Sequence, residues 1–133
     1  YLPSGGQLAW PVQGEITSTF GMRVHPTFKT KIVHTGIDIR APQGTPVGAA
    51  GPGEVLFAGW LRGYGQVIII DHGNNLSSVY AHLSSMSVRE GAAVRKGHTI
   101  GAVGNTGVAT GAHLHFEVRV GGEARDPIKY LRK

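Results

Sequence analysis

Seven histidines stand in a chain of 133 residues that has no cysteine, so any site for a soft metal must be built from imidazoles and carboxylates. Two of them form His113-Leu114-His115. On a strand, residues two apart share a face with Cα atoms roughly 6.6 Å apart. Both rings can then serve one metal, as two ligands or as one ligand and one partner to a metal-bound water. A second pattern is His34-Thr35-Gly36-Ile37-Asp38. In a straight strand its outer residues would lie roughly 13 Å apart, too far to share an ion bonded at about 2 Å, so the pattern requires a bend at Thr35-Gly36. Two histidines and one carboxylate with a fourth position open match a catalytic zinc site in number and type. Such an ion lowers the pKa of bound water to about 7 and polarises a carbonyl, and peptide hydrolysis needs both effects. The helical HExxH pattern is absent, which leaves proton handling to His82, in Tyr80-Ala81-His82-Leu83, and to the spare His113.

The elements that must position these residues read as strands. Short β-branched runs bounded by glycine occupy 47–50, 54–58, 67–71, 77–83, 98–103 and 114–120, and no segment holds a helical period for more than about two turns. The expected fold is all-β, of mainly antiparallel sheets in a sandwich-like arrangement with short loops and little helix. Val67-Ile68-Ile69-Ile70 is apolar throughout and belongs in the centre of the core. From Leu114 to Val120 the pattern alternates, with Leu114, Phe116, Val118 and Val120 toward the core and His113, His115, Glu117 and Arg119 on the opposite face. Residues 1–9 read as a linker or N-terminal extension, and the domain as 10–133. The chain begins at Tyr1 without methionine, which suggests a piece of something longer, and it has no apolar run long enough to span a membrane as a helix.

Composition narrows the partners. A net charge of +5 favours anions, but the eight arginines are scattered singly and form no nucleic-acid face. Among the other histidines, His25 reads as a loop residue beside Pro26, His72 as turn chemistry before Gly73-Asn74, and His98 as exposed. Glu117 and Arg119 read as a pair, and Trp60 and Tyr64 as groove or core-capping aromatics.

The stretches Gly21-Met22-Arg23-Val24-His25-Pro26, His34-Thr35-Gly36-Ile37-Asp38-Ile39, Ile70-Asp71-His72-Gly73, Tyr80-Ala81-His82-Leu83 and Gly111-Ala112-His113-Leu114-His115-Phe116-Glu117 resemble, in order, those of LytM- and lysostaphin-type zinc endopeptidases. The resemblance runs from about Trp10 to Leu131. It implies that His34, Asp38 and His115 bind Zn2+, that His82 and His113 hold the water and stabilise the tetrahedral oxyanion, and that a groove accepts an extended peptide of bacterial peptidoglycan. A periplasmic or cell-wall location follows from that substrate. Phe57-Ala58-Gly59-Trp60-Leu61-Arg62-Gly63-Tyr64-Gly65 is similar to the EnvC-type subgroup, which regulates septal wall hydrolysis. Many of that subgroup have lost metal ligands and activate amidases, partnering other envelope or division proteins. Ala112 stands where relatives commonly have proline. Rival readings are a non-catalytic activator module, a lipoyl-like carrier over 88–107 and a carboxylate glycosidase. The carrier lacks a lysine at a hairpin tip and leaves the histidines unexplained.

Overall fold

The computed structural model describes residues 8–24, 27, 31–107 and 111–132, and the statements below concern those residues. Twelve strands and one 3-10 turn are present among them. The first half contributes β1 (Glu15–Ser18), β2 (Gly21–Val24), β3 (Lys31–His34), β4 (Ile37–Arg40), β5 (Pro46–Gly48) and β6 (Gly53–Leu61). The second contributes β7 (Gly65–Gly73), β8 (Leu76–Met86), β9 (Ala93–Val94), β10 (Thr99–Val103), β11 (His113–Val120), β12 (Glu123–Arg125) and the turn Pro127–Lys129. The fold is all-β and its strand pairs are antiparallel, as the sequence leads one to expect.

A ten-stranded sheet runs in the order β1-β4-β11-β8-β7-β6-β9, with β10 joining β8 to β5 and β12 flanking β11. The β2–β3 hairpin stands apart from it. Each apolar alternation puts one row of side chains into a single core: Ile37 and Ile39 of β4, Leu114, Phe116 and Val118 of β11, Tyr80 of β8, and Ile68 and Ile70 of β7. Burying each large aliphatic side chain is worth about 1.5–3 kcal/mol, so these rows fix which face of β4 and β11 is left for chemistry. The run 67–70 is central, as its composition requires. Val67, Ile68 and Ile70 have no exposure, and Ile69 packs on a smaller cluster with Val67, Val79 and Ala81 on the opposite face.

Two expectations change. The packed chain reaches back at least to Leu8, which is fully buried, bridges Leu131 and exchanges backbone hydrogen bonds with Tyr130 and Arg132 at 2.8 Å. His72 is not the turn residue. The turn is Asn74-Asn75, both with positive φ (55° and 65°), the conformation a tight hairpin demands, and the Asp71 carboxylate caps it by accepting from the Gly73 amide at 2.9 Å. The His72 ring points inward instead. Its Nδ1 donates to the Pro52 carbonyl at 2.8 Å and its Nε2 meets the Ser78 hydroxyl at 2.7 Å, which in turn meets Tyr80 Oη at 2.7 Å. Tyr80 Oη accepts from the Ala50 amide, which closes a buried polar chain between β7, β8 and the β5–β6 connection.

Candidate metal centre

Strand β11 pairs with β4 so that His115 faces Asp38 and His113 faces Arg40. Facing residues of an antiparallel pair lie on one side of the sheet, so the register alone gathers two imidazoles and a carboxylate. His34 reaches the same place from the end of β3, across the Thr35-Gly36 link that opens β4. Gly36 is required there for close approach, since a Cβ would lie 2.2 Å from the Phe116 carbonyl oxygen. Space demands glycine here, and a positive φ is not part of the reason.

His82 arrives by a different device. Ala81 faces His115 and Tyr80 faces Phe116 across β8 and β11, so strict alternation would send His82 toward the core with Tyr80. Its φ of 63° breaks the alternation. A non-glycine residue in the left-handed region is strained by about 1–3 kcal/mol and persists only where the surroundings enforce it. Here its backbone amide donates to the Tyr64 carbonyl at 2.8 Å and its Nδ1 to the Thr106 carbonyl at 2.6 Å. The ring settles 4.9 Å from that of His113 and 6.0 Å from that of His115, centroid to centroid.

The outer nitrogens fix the tautomers. A carbonyl can only accept, so Nδ1 carries the proton in His34 (to Thr19, 2.9 Å), His82 (to Thr106, 2.6 Å) and His113 (to Gly111, 2.9 Å). In their neutral forms Nε2 of each therefore presents a lone pair. His34 Nε2 and His113 Nε2 lie 3.5 and 3.8 Å from Asp38 Oδ1, and His115 Nδ1 lies 2.8 Å from it. The ligand atoms of His34, Asp38 and His115 all fall within 4.8 Å of one another.

Behind His115 stands Glu117, with no exposed surface. Its Oε2 accepts from His115 Nε2 (2.8 Å), the Thr35 hydroxyl (2.7 Å) and the Tyr64 hydroxyl (2.7 Å), while Oε1 accepts from Arg119 Nε (2.7 Å). The expected Glu117–Arg119 pair is present, but Glu117 also braces the histidine between itself and Asp38. Burial alone would raise the Glu117 pKa, yet the bonds from His115, Thr35, Tyr64 and Arg119 outweigh it and hold the group at about 2. Burial would likewise lower His115, but the two carboxylates raise it to about 9. Asp38 loses to burial and gains more from His115, ending below its ordinary value. His82 is pushed down, chiefly by burial and further by the neighbouring histidines.

All five residues singled out in the sequence thus converge. The sequence did not reveal the bracing shell of Glu117, Thr35 and Tyr64. The available signal was the alternation that places Glu117 two residues from His115 on a common face. Trp60, 62% exposed, does not cap the core. Tyr64 lines a mostly apolar recess of about 310 Å³ with Leu61, Ile69, Val79 and Arg119. His98 is exposed as expected, and His25 lies outside the described residues.

The donor set suits a zinc ion. Imidazole lone pairs and a carboxylate converge with their outer atoms already engaged, the pattern in which acceptors behind the rings orient metal-binding histidines. Comparison with known proteins agrees with this chemistry: residues 32–127 match peptidase family M23, and the chain belongs to that family. It is 49% identical over 117 residues to the DD-carboxypeptidase/endopeptidase Mpg of Neisseria meningitidis serogroup B, covering 88% of this chain and 27% of that protein. It is 39% identical over 123 residues to the murein hydrolase activator NlpD of Escherichia coli, covering 92% of this chain and 30% of that protein. A zinc-containing peptidase from Vibrio cholerae superposes with a TM-score of 0.87 at 33% identity, over 98% of this chain and 41% of that one. The chain therefore spans less than a third of those two curated relatives. Among the described residues, no helix is long and apolar enough to cross a membrane.

Proposed function

We propose that this chain is a zinc-dependent endopeptidase domain acting on the peptides of bacterial peptidoglycan in the cell envelope. The observation that carries the proposal is the gathering of three imidazoles on Asp38 with His82 beside them: Nδ1 of His34, His82 and His113 is committed to backbone carbonyls, and His115 is braced by Glu117. His34 through Nε2, His115 through Nδ1 and Asp38 through a carboxylate oxygen would hold the ion. When bound, zinc supplies a Lewis acid and makes water a competent nucleophile near neutral pH.

The chain's own groups handle the rest. Glu117 keeps a His115 proton on Nε2, so that Nδ1, which meets Asp38 in the metal-free chain, becomes the ligand nitrogen once its own proton is released, and it holds the ring in one orientation. His113 and His82, each with Nδ1–H anchored to a carbonyl, turn Nε2 toward the same volume. Each can accept a proton there and, once protonated, donate a hydrogen bond to the oxygen of a tetrahedral intermediate. Because burial lowers the basicity of His82, it is largely neutral at pH 7 and can take up a proton.

The likeness to Mpg supports peptide hydrolysis, and the likeness to NlpD supports action at the peptidoglycan layer, with other envelope or division proteins as partners. The narrower EnvC-type kinship of Phe57–Gly65 forms part of the same reading. Retention of all five site residues favours catalysis over a purely activating role. The test is metal content: purified chain supplemented with zinc and then desalted should hold about one ion per chain, and none after the ligand triad is removed. A wild-type chain that binds no zinc would refute the catalytic assignment.

A further inference from the structure

The register that sets His115 opposite Asp38 also sets His113 opposite Arg40. Facing pairs hold their Cβ atoms about 5 Å apart on the same side of the sheet, so Arg40 stands on the site face, one ladder step from the proposed ligands. Arg119, further along the same face, is tied by Nε to buried Glu117 and by Nη1 to the Gly122 carbonyl. Arg40 is held differently. Its side chain is 69% exposed and, among the described residues, its acidic partner is the exposed Glu15 at 3.2 Å, an ion pair of the kind that exchanges readily with solvent and ligands.

Beside Arg40 lies a recess of about 320 Å³ lined by Thr17, Arg40, Gly111, Ala112 and His113. None of these residues is acidic, and the Arg40 guanidinium is a charged hydrogen-bond donor, so the recess favours an anion, while the Thr17 hydroxyl donates to the Asp38 carbonyl at 3.5 Å. Planar, fork-shaped guanidinium matches a carboxylate in particular. An extended peptide advances about 3.3–3.6 Å per residue. A peptide whose reacting carbonyl sits under His113 therefore brings its next one or two residues over Arg40.

We propose that the Arg40 recess binds a carboxylate carried by the substrate peptide one or two residues from the scissile bond, and that it selects among peptides by this contact. The inference rests on the peptidase reading above. The carboxylate can be a chain terminus or an acidic side chain, and the two sources are separable. Two pairs of acetylated peptides serve as probes: one pair differs only in a free or amidated C-terminus, the other has a blocked terminus and differs only in a glutamate or glutamine near the bond.

With the zinc-loaded chain, kcat/KM should favour the acid over the amide about tenfold or more in one pair, the size expected of a hydrogen bond between charged groups. The pair that shows it identifies the source. Arg40→Gln should bring that ratio toward one, and Arg40→Lys should keep part of it. Equal rates within both pairs, or a preference that survives Arg40→Gln, would overturn the proposal. Failure to hydrolyse any of the four would count against the peptidase reading instead. Binding of the same peptides, followed by titration calorimetry, then decides the recess: an acid preference abolished by Arg40→Gln upholds it, and its absence refutes it.

Discussion

Replacing Glu117 by glutamine keeps the shape of the side chain and removes one acceptor oxygen and the charge. In the folded chain the carboxylate receives four donors, three on Oε2 and one on Oε1. A glutamine has one oxygen, so its amide group must confront either Arg119 Nε–H or the cluster of Thr35, Tyr64 and His115. The hydrogen bonds that hold the group at about 2, against an ordinary 4.5, correspond to about 3 kcal/mol. The elevation of His115 to about 9 describes the same contacts and is not added. A depressed folded pKa means that this stabilisation is complete above about pH 4.5 and is lost as the pH falls toward 2. Urea denaturation of the metal-free chain at pH 7 should therefore show Glu117→Gln less stable by about 2–3 kcal/mol, with the gap closing in acid. Competition with a chelating dye should show zinc affinity lower by about 10–100-fold, the usual cost of losing the acceptor that orients a metal-binding histidine. Unchanged stability and unchanged zinc affinity at pH 7 would refute the reasoning.

Other substitutions separate the roles of the histidines and the backbone. His34→Ala, Asp38→Ala and His115→Ala should lose zinc and turnover together, whereas His82→Ala and His113→Ala should retain zinc while turnover falls by ~10² to 10⁴; metal analysis beside a kinetic assay distinguishes them. Gly36→Ala drives a Cβ against the Phe116 carbonyl and should cost at least about 1–3 kcal/mol by chemical denaturation, with weakened zinc binding. Burial holds His72 below its ordinary 6.5, opposed only in part by the Pro52 carbonyl and Asp71. The neutral ring is the one that fits, so its contribution to stability is present above about pH 6.5 and is lost as the pH falls through the lower folded value. Melting curves should show that acid loss in the wild type and a shallower one in His72→Gln.

The period of two was enough to show that His113 and His115 share a face and that Leu114, Phe116 and Val118 oppose them, because alternation is a local property of a strand. What brings Asp38 to His115 is the β4–β11 register, which depends on how the Ile37/Ile39 and Leu114/Phe116 rows pack and is not written in either segment alone. The bend at Thr35-Gly36 was legible as a necessity, while its reason, the Phe116 carbonyl lying against Gly36, required the neighbouring strand. His82 escaped alternation through a backbone strain that no local pattern announces. His72 was misread because Asp71, Gly73 and Asn74 around it are all turn formers. Nothing in that string shows that Ser78 and Pro52 wait inside to receive the ring.

The central claim is most directly met by incubating purified peptidoglycan with the zinc-loaded chain, with and without chelator, and with the Asp38→Ala variant, and by weighing the soluble fragments by mass spectrometry. Fragments with new peptide amino and carboxyl ends should be released only by the zinc-loaded wild type. Fragments that end in newly freed sugars, or release that persists in chelator or in Asp38→Ala, would contradict the claim.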